Sequence, residues 1–183
     1  PEKLLVEHLQ FENKFCNRNK ETAFSYYNSD NSPKRVIRVG YVSPDFRSHP
    51  VGYFMESLLR EQNRKLFKVY LYSNVTRPDE KTKDFTSIAD TWRDIKGLNN
   101  NDAAKLIHDD KIDILIDLAG HTSGNRIILF SRKPAPIQAS YLGYPGTTGL
   151  SAIDYRFTDK YADPIGSTDK HHTEELIRLP TCF

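Results

Sequence analysis

The sequence predicts an α/β domain, a mostly parallel Rossmann-like sheet with helices on both faces, and three observations carry that expectation. Short runs rich in β-branched residues alternate with stretches of helical periodicity. Such alternation implies right-handed crossovers between parallel strands. Several of the strand-like runs are continuously apolar, as a strand covered on both sides requires. Glycine and proline gather where those runs end, which marks the loops. A chain of 183 residues suits one such domain plus an appendage.

The elements follow in order. Leu4, Leu5, His8, Leu9 and Phe15 recur at helical spacing and predict an amphipathic helix of about four turns. Residues 17–34 turn polar, with turn formers from Asn28 to Pro33, and read as a linker, so that residues 1–34 precede a domain over 35–183. Val36 to Ser43 predicts a buried first strand. Pro50 suits the first turn of a helix carrying the stripe Val51, Phe54, Met55, Leu58 and Leu59. Phe67 to Ser73 predicts a second strand, and Phe85, Ile88, Ala89 and Trp92 one face of a second helix. A short strand is expected near Asp94 to Leu98, then a helix capped by Asn101 or Asp102 and running through His108. Ile112 to Leu118 predicts a central strand, Ile127 to Phe130 a short helix stopped by Pro134, and Ile137 to Leu142 another strand. Ile153 to Thr158 and Leu176 to Leu179 complete the set.

Composition narrows the function. The 26 basic and 24 acidic residues give a net charge of only +2, and the basic residues are scattered, which argues against nucleic acid as a partner. The two cysteines, Cys16 and Cys182, make no metal-binding spacing and no disulfide framework, so no metal is expected and a reducing cytoplasmic compartment fits. No apolar run reaches the roughly 18 residues a membrane helix needs. The start at Pro1 and the stop after Pro180 are expected of a piece excised from a longer chain.

In an open parallel sheet, ligands bind beyond the carboxyl ends of the strands. Three loops stand there. Ser43 to Pro50 places Asp45, Arg47 and His49 between two stiffening prolines, although Asp45 and His49 could equally be turn and helix caps. Asp117 to Arg126 adds an acid, the imidazole of His121, the hydroxyl of Thr122 and glycines that let backbone N–H groups approach a ligand. Leu142 to Gly149 holds Tyr144, Pro145, Gly146 and Thr147 in a glycine-rich turn, which a plain tight turn would also explain. Neither GxGxxG nor GxxxxGK[ST] occurs, which disfavours an ordinary dinucleotide or P-loop site.

The runs from Arg38 to His49 and from Arg132 to Gly149 resemble the O-linked N-acetylglucosamine transferase family, and Asp117-Leu118-Ala119-Gly120-His121-Thr122 is similar to its bacterial and plant forms. The likeness extends from about Arg35 to Asp159. It implies the first half of a metal-independent, inverting glycosyltransferase of the two-domain GT-B type, with no cofactor, UDP-GlcNAc as donor and protein Ser/Thr as acceptor. The second, nucleotide-binding domain would follow this chain, tetratricopeptide repeats would precede it, and the fragment alone would be inactive. By that resemblance His49 is the active-site histidine, acting as general base or positioning the acceptor, with Asp117 and His121 as further catalytic candidates. Asp45, Thr122, Tyr144, Pro145, Gly146 and Thr147 are implied to bind substrate. Two alternatives stay open: a protein O-fucosyltransferase of the same family, and a non-catalytic module that binds proteins in the same cleft.

Overall fold

The computed structural model describes residues 1–16, 24, 26, 32 and 34–181. Seven strands form one sheet: β1 (Ile37–Ser43), β2 (Phe67–Ser73), β3 (Thr91–Asp94), β4 (Ile114–Asp117), β5 (Ile137–Ser140), β6 (Tyr155–Asp159) and β7 (Glu175–Leu179). Their order is β3-β2-β1-β4-β5-β6-β7, and every pairing is parallel. The helices are α1 (Glu2–Phe15), α2 (Pro50–Glu61), α3 (Glu80–Ile88), α4 (Asn100–Asp109) and α5 (Ile127–Phe130), with a 3-10 turn at Asp169–His171.

Two cores, one on each face, hold the sheet. Alternate residues of β1 and β2 divide between them: Val39, Tyr41, Val69 and Leu71 pack with Met55, Leu59 and Phe85, while Val42 and Tyr72 pack with Ile107, Leu115, Ile127 and Phe130. Each fully buried side chain of this size contributes roughly 1.5–3 kcal/mol, so the two-sided burial explains why these strands carry few polar residues.

The expected elements are present, with shifts that have physical reasons. In α2 the buried stripe is Val51, Gly52, Met55 and Leu59, whereas Phe54 and Leu58 face outward. The apolar face is therefore wider than the face that packs. Trp92 lies in β3 and not on the second helix, which ends at Ile88. Asp90 stops it there, its carboxylate accepting the amide of Val69 and the guanidinium of Arg64. Asn99, not Asn101 or Asp102, caps α4 by accepting the amide of Asp102. The strands β4 and β5 end at Asp117 and Ser140, before the expected Leu118 and Leu142. Most of the expected linker lies outside the described residues, as does Cys182.

The first helix departs furthest from expectation. Its buried residues are His8 and Glu12, while Leu4, Val6, Leu9 and Phe15 are exposed. It docks through hydrogen bonds: His8 Nδ1 to the carbonyl of Thr147 at 2.8 Å, and Glu12 accepting the amide and hydroxyl of Ser151 at 2.8 and 2.6 Å. A Cβ on Gly149 would overlap the Cβ and backbone of His8, so only glycine admits the helix this closely.

Candidate active site

The sheet order reverses between β1 and β4, because the chain runs outward from β1 to β3 on one side and from β4 to β7 on the other. At such a switch point the loops leaving the two strands diverge and open a crevice at the carboxyl edge. The loops after β1, β4 and β5 all lie on that rim. They touch: Gly124 sits against Pro44, and a Cβ on Gly143 would overlap the carbonyl of Leu118.

The loop after β1 is fixed at both ends. Ser43 Oγ accepts the amide of Asp45 at 2.9 Å, and the carboxylate of Asp79, the N-cap of α3, accepts the amide of Ser48 at 2.8 Å. The Ser48 amide and the Thr82 amide hold the Asp79 carboxyl down at about 2. His49 is the N-cap of α2, in extended backbone, with Pro50 opening the helix. Its Nδ1 accepts the amide of Val51 at 3.3 Å and stands 3.6 Å from Asp45 Oδ2. A neutral ring that accepts at Nδ1 carries its proton on Nε2, so His49 presents a donor, and its side chain is 35% exposed.

Asp117 ends β4 and is buried. Its Oδ2 accepts the amide of Gly120 at 2.5 Å, and its Oδ1 has no partner among the described residues. Burial pushes its carboxyl up to about 6, against the lowering effect of the Gly120 and Ala119 amides. The register pairs Asp117 with Ser140 and Ser140 with Arg156, so three polar residues form a row across β4, β5 and β6. All three are buried and line one narrow cleft with Gly120, Tyr144 and Thr148. Arg156 donates to the carbonyl of Tyr144 at 2.9 Å.

Glu174, just before β7, secures the glycine-rich loop. Its buried carboxylate accepts the hydroxyl of Thr147 at 2.7 Å, the amide of Thr148 at 2.6 Å and the hydroxyl of Thr148. Thr147 therefore turns its side chain into the protein, its carbonyl bonds His8, and it does not line the cleft as expected. Pro145 is exposed at the rim, and Thr122 bonds back to the carbonyl of Ala119 at 2.8 Å.

His121 is enclosed. Its Nε2 lies 2.8 Å from the carbonyl of Thr148, the ring of His8 stacks on it at 3.9 Å, and Phe11 and Tyr144 meet it edge-on at 5.0 and 5.5 Å. The structure thus brings Asp117, Tyr144 and Gly146 to one cleft, with His121 against Tyr144. It leaves His49 on the adjoining loop, and the partners of its ring nitrogen are Asp45 and Val51.

Sequence reasoning missed His8, Ser140, Arg156 and Glu174. Each acts through a partner many residues away, and no local pattern signals that. Among the described residues no group of three or more His, Cys, Asp or Glu could hold a metal ion, and no helix is long and apolar enough to cross a membrane.

Comparison with known proteins matches residues 9–183 to the model of glycosyl transferase family 41. A Petunia hybrida protein named as a probable UDP-N-acetylglucosamine–peptide N-acetylglucosaminyltransferase SPINDLY is 45% identical over 167 residues, covering 87% of this chain and 18% of that protein. The SEC protein of Arabidopsis thaliana, named for the same activity, is 39% identical over 148 residues, covering 80% of this chain and 15% of its own length. A solved structure of a Thermobaculum terrenum O-GlcNAc transferase mutant superposes with a TM-score of 0.91 at 36% identity, covering 98% of this chain and 34% of that one. The chain thus spans about a fifth of the length of the curated relatives it matches and about a third of the solved chain.

Proposed function

Because the chain belongs to glycosyl transferase family 41, we propose that it forms one wall of the active site of an inverting transferase that moves N-acetylglucosamine from UDP-GlcNAc to Ser or Thr of proteins. The observation that carries the reading is the meeting of three fixed, irregular loops at the switch point, in a chain that superposes over 98% of its length on an O-GlcNAc transferase.

In that reaction the acceptor hydroxyl oxygen bonds to the anomeric carbon, the bond from that carbon to the diphosphate breaks, and the hydroxyl proton passes to an oxygen of the departing diphosphate. His49 contributes at the acceptor. With Nδ1 occupied by the Val51 amide, its Nε2–H is a donor that orients the acceptor oxygen. Asp45, inside the same turn, stands 3.6 Å from Nδ1 and keeps the ring in place. Asp117 holds the Gly120 turn, and Tyr144, Pro145 and Gly146 form the rim against which the sugar is held.

The departing diphosphate needs cations, and the arginines on and beside these loops have partners within this chain. Arg47 pairs with Asp45, Arg126 donates to the carbonyls of Ile95 and Leu98, and Arg156 donates to Tyr144. We therefore assign leaving-group stabilisation to a second domain outside this chain, and the isolated 183 residues are expected to be inactive.

Incubating the full-length protein and the isolated chain separately with radiolabelled UDP-GlcNAc or GDP-fucose and a protein acceptor tests both statements. Transfer of GlcNAc by the full-length protein alone is expected. Transfer of fucose would overturn the donor assignment, transfer by the isolated chain would overturn the division of labour, and stable acceptor binding without transfer would make the domain a binding module.

A further inference from the structure

The N-terminal helix is tied to the candidate site by more than packing. His8 and His121 lie ring on ring at 3.9 Å, and their nitrogens bond the carbonyls of consecutive residues, Thr147 and Thr148, each at 2.8 Å. The tautomers are mutually consistent. His8 donates from Nδ1 to Thr147, which leaves Nε2 as an acceptor for the hydroxyl of Tyr144 at 3.3 Å. Glu174 grips the same two threonines from the other side through their hydroxyls and the Thr148 amide. The segment Tyr144 to Gly149 is therefore clamped between a carboxylate at the start of β7 and an imidazole pair supplied jointly by α1 and the loop after β4.

From this geometry we infer that His8 is a positioning residue: by stacking on His121 and bonding Thr147, it sets the place of the 144–149 wall of the cleft. The inference rests on the transferase reading for its kinetic consequence, but not for its structural one. Sequence distance hides the relation, since His8 and Thr147 are 139 residues apart. The helix meets the loop most closely at this residue, since a Cβ on Gly149 would overlap the Cβ and backbone of His8. The charged and titratable groups facing His8 are His121, Glu7, Glu174 and Tyr144. With two imidazoles in van der Waals contact, a second proton on the pair is opposed by the first.

Two substitutions separate the parts of the device. His8→Phe keeps a ring to stack on His121 and removes the bond to Thr147. His8→Asn keeps a donor near the position of Nδ1 and removes the stacking surface. In the full-length protein, His8→Phe is expected to lower kcat by about 10-fold or more, since small misplacements of a site wall carry penalties of up to about 100-fold. His8→Asn is expected to recover part of that loss. Amide exchange at Thr147, Thr148 and Gly149 should rise in His8→Phe while exchange in β1 and β4 stays as in the parent, and the ring-proton chemical shifts of His121 should move in His8→Asn, where the ring stacked on it at 3.9 Å is gone.

Unchanged loop exchange together with unchanged His121 ring-proton shifts would overturn the inference, whatever the activity. A parent protein with no transferase activity would defeat the proposed function but leave the exchange and chemical-shift tests standing. A His8→Phe protein with faster exchange throughout the sheet would assign His8 to global stability and overturn the positioning role.

Discussion

Removing the Glu174 carboxylate offers a quantitative test of the clamp. Glu174→Ala deletes an acceptor of three hydrogen bonds, all from Thr147 and Thr148. The two hydroxyls can rotate: Thr147 Oγ1 already lies 3.1 Å from Thr173 Oγ1. The amide of Thr148 cannot, and it is left buried without an acceptor. An orphaned buried donor costs about 1–3 kcal/mol, and each lost bond to a charged group about 1.5–3 kcal/mol gross. Relief of the cost of burying a carboxylate offsets part of that sum. The net expected loss is about 2–4 kcal/mol, which for a chain of this size lowers Tm by roughly 5–15 °C. Urea unfolding of the parent chain, Glu174→Ala and Glu174→Gln at pH 7, followed by circular dichroism, measures it. The glutamine, of the same shape but with an amide nitrogen facing donors, should lose about half as much. An alanine variant within about 0.5 kcal/mol of the parent would show that the loop holds itself and refute the reasoning.

Three further outcomes are expected. Asp117 has a folded-state pKa raised to about 6, so the folded state binds its proton more tightly than the unfolded chain; the stability this gives is present below pH 4 and lost as pH rises through about 6. Asp117→Asn should therefore gain roughly 3 kcal/mol on the parent between pH 4 and pH 7, at about 1.4 kcal/mol per unit, and parallel stability curves would rule this out. His49→Ala in the full-length protein should cut turnover by about 100-fold, as measured by initial rates, and lower stability by about 0.5–2 kcal/mol through the lost N-cap bond to Val51; near-normal turnover would remove His49 from the reaction. Gly143→Ala, whose methyl group would overlap the Leu118 carbonyl, should cost at least about 2 kcal/mol in urea unfolding, and a neutral result would mean that the loop moves freely.

The sheet was legible because its signals are local: Val36 to Ser43 and Ile112 to Leu118 show burial on both faces in their composition alone, and the glycine-rich ends of the strands point to the rim. Boundaries moved where a side chain far along the chain decides them, as when Asp90 turns back to Val69 and ends α3. The site was half legible. Asp45, His49, Asp117 and Tyr144 stand where the loops suggested, but the residues that hold those loops do not show in a local pattern. Glu174 is 27 and 26 residues from the two threonines it grips, and Arg156 becomes a neighbour of Asp117 only through the strand register. For α1, periodicity identified the helix and included the buried His8 in its stripe, but Leu4, Leu9 and Phe15 of that stripe stay exposed while Glu12, held by Ser151, is buried.

The docking of α1 also sets a schedule during biosynthesis. The helix leaves the ribosome well before its docking partners, since the carbonyl and amide that receive it belong to Thr147 and Ser151. At about 5–20 residues per second, some 140 further residues keep it waiting for roughly 7–30 seconds. A 14-residue helix is marginal alone, so for that interval Phe11 and Cys16, which pack on the finished core, travel uncovered, and nascent chains stalled before Thr147 should recruit chaperones more strongly than those stalled after β7.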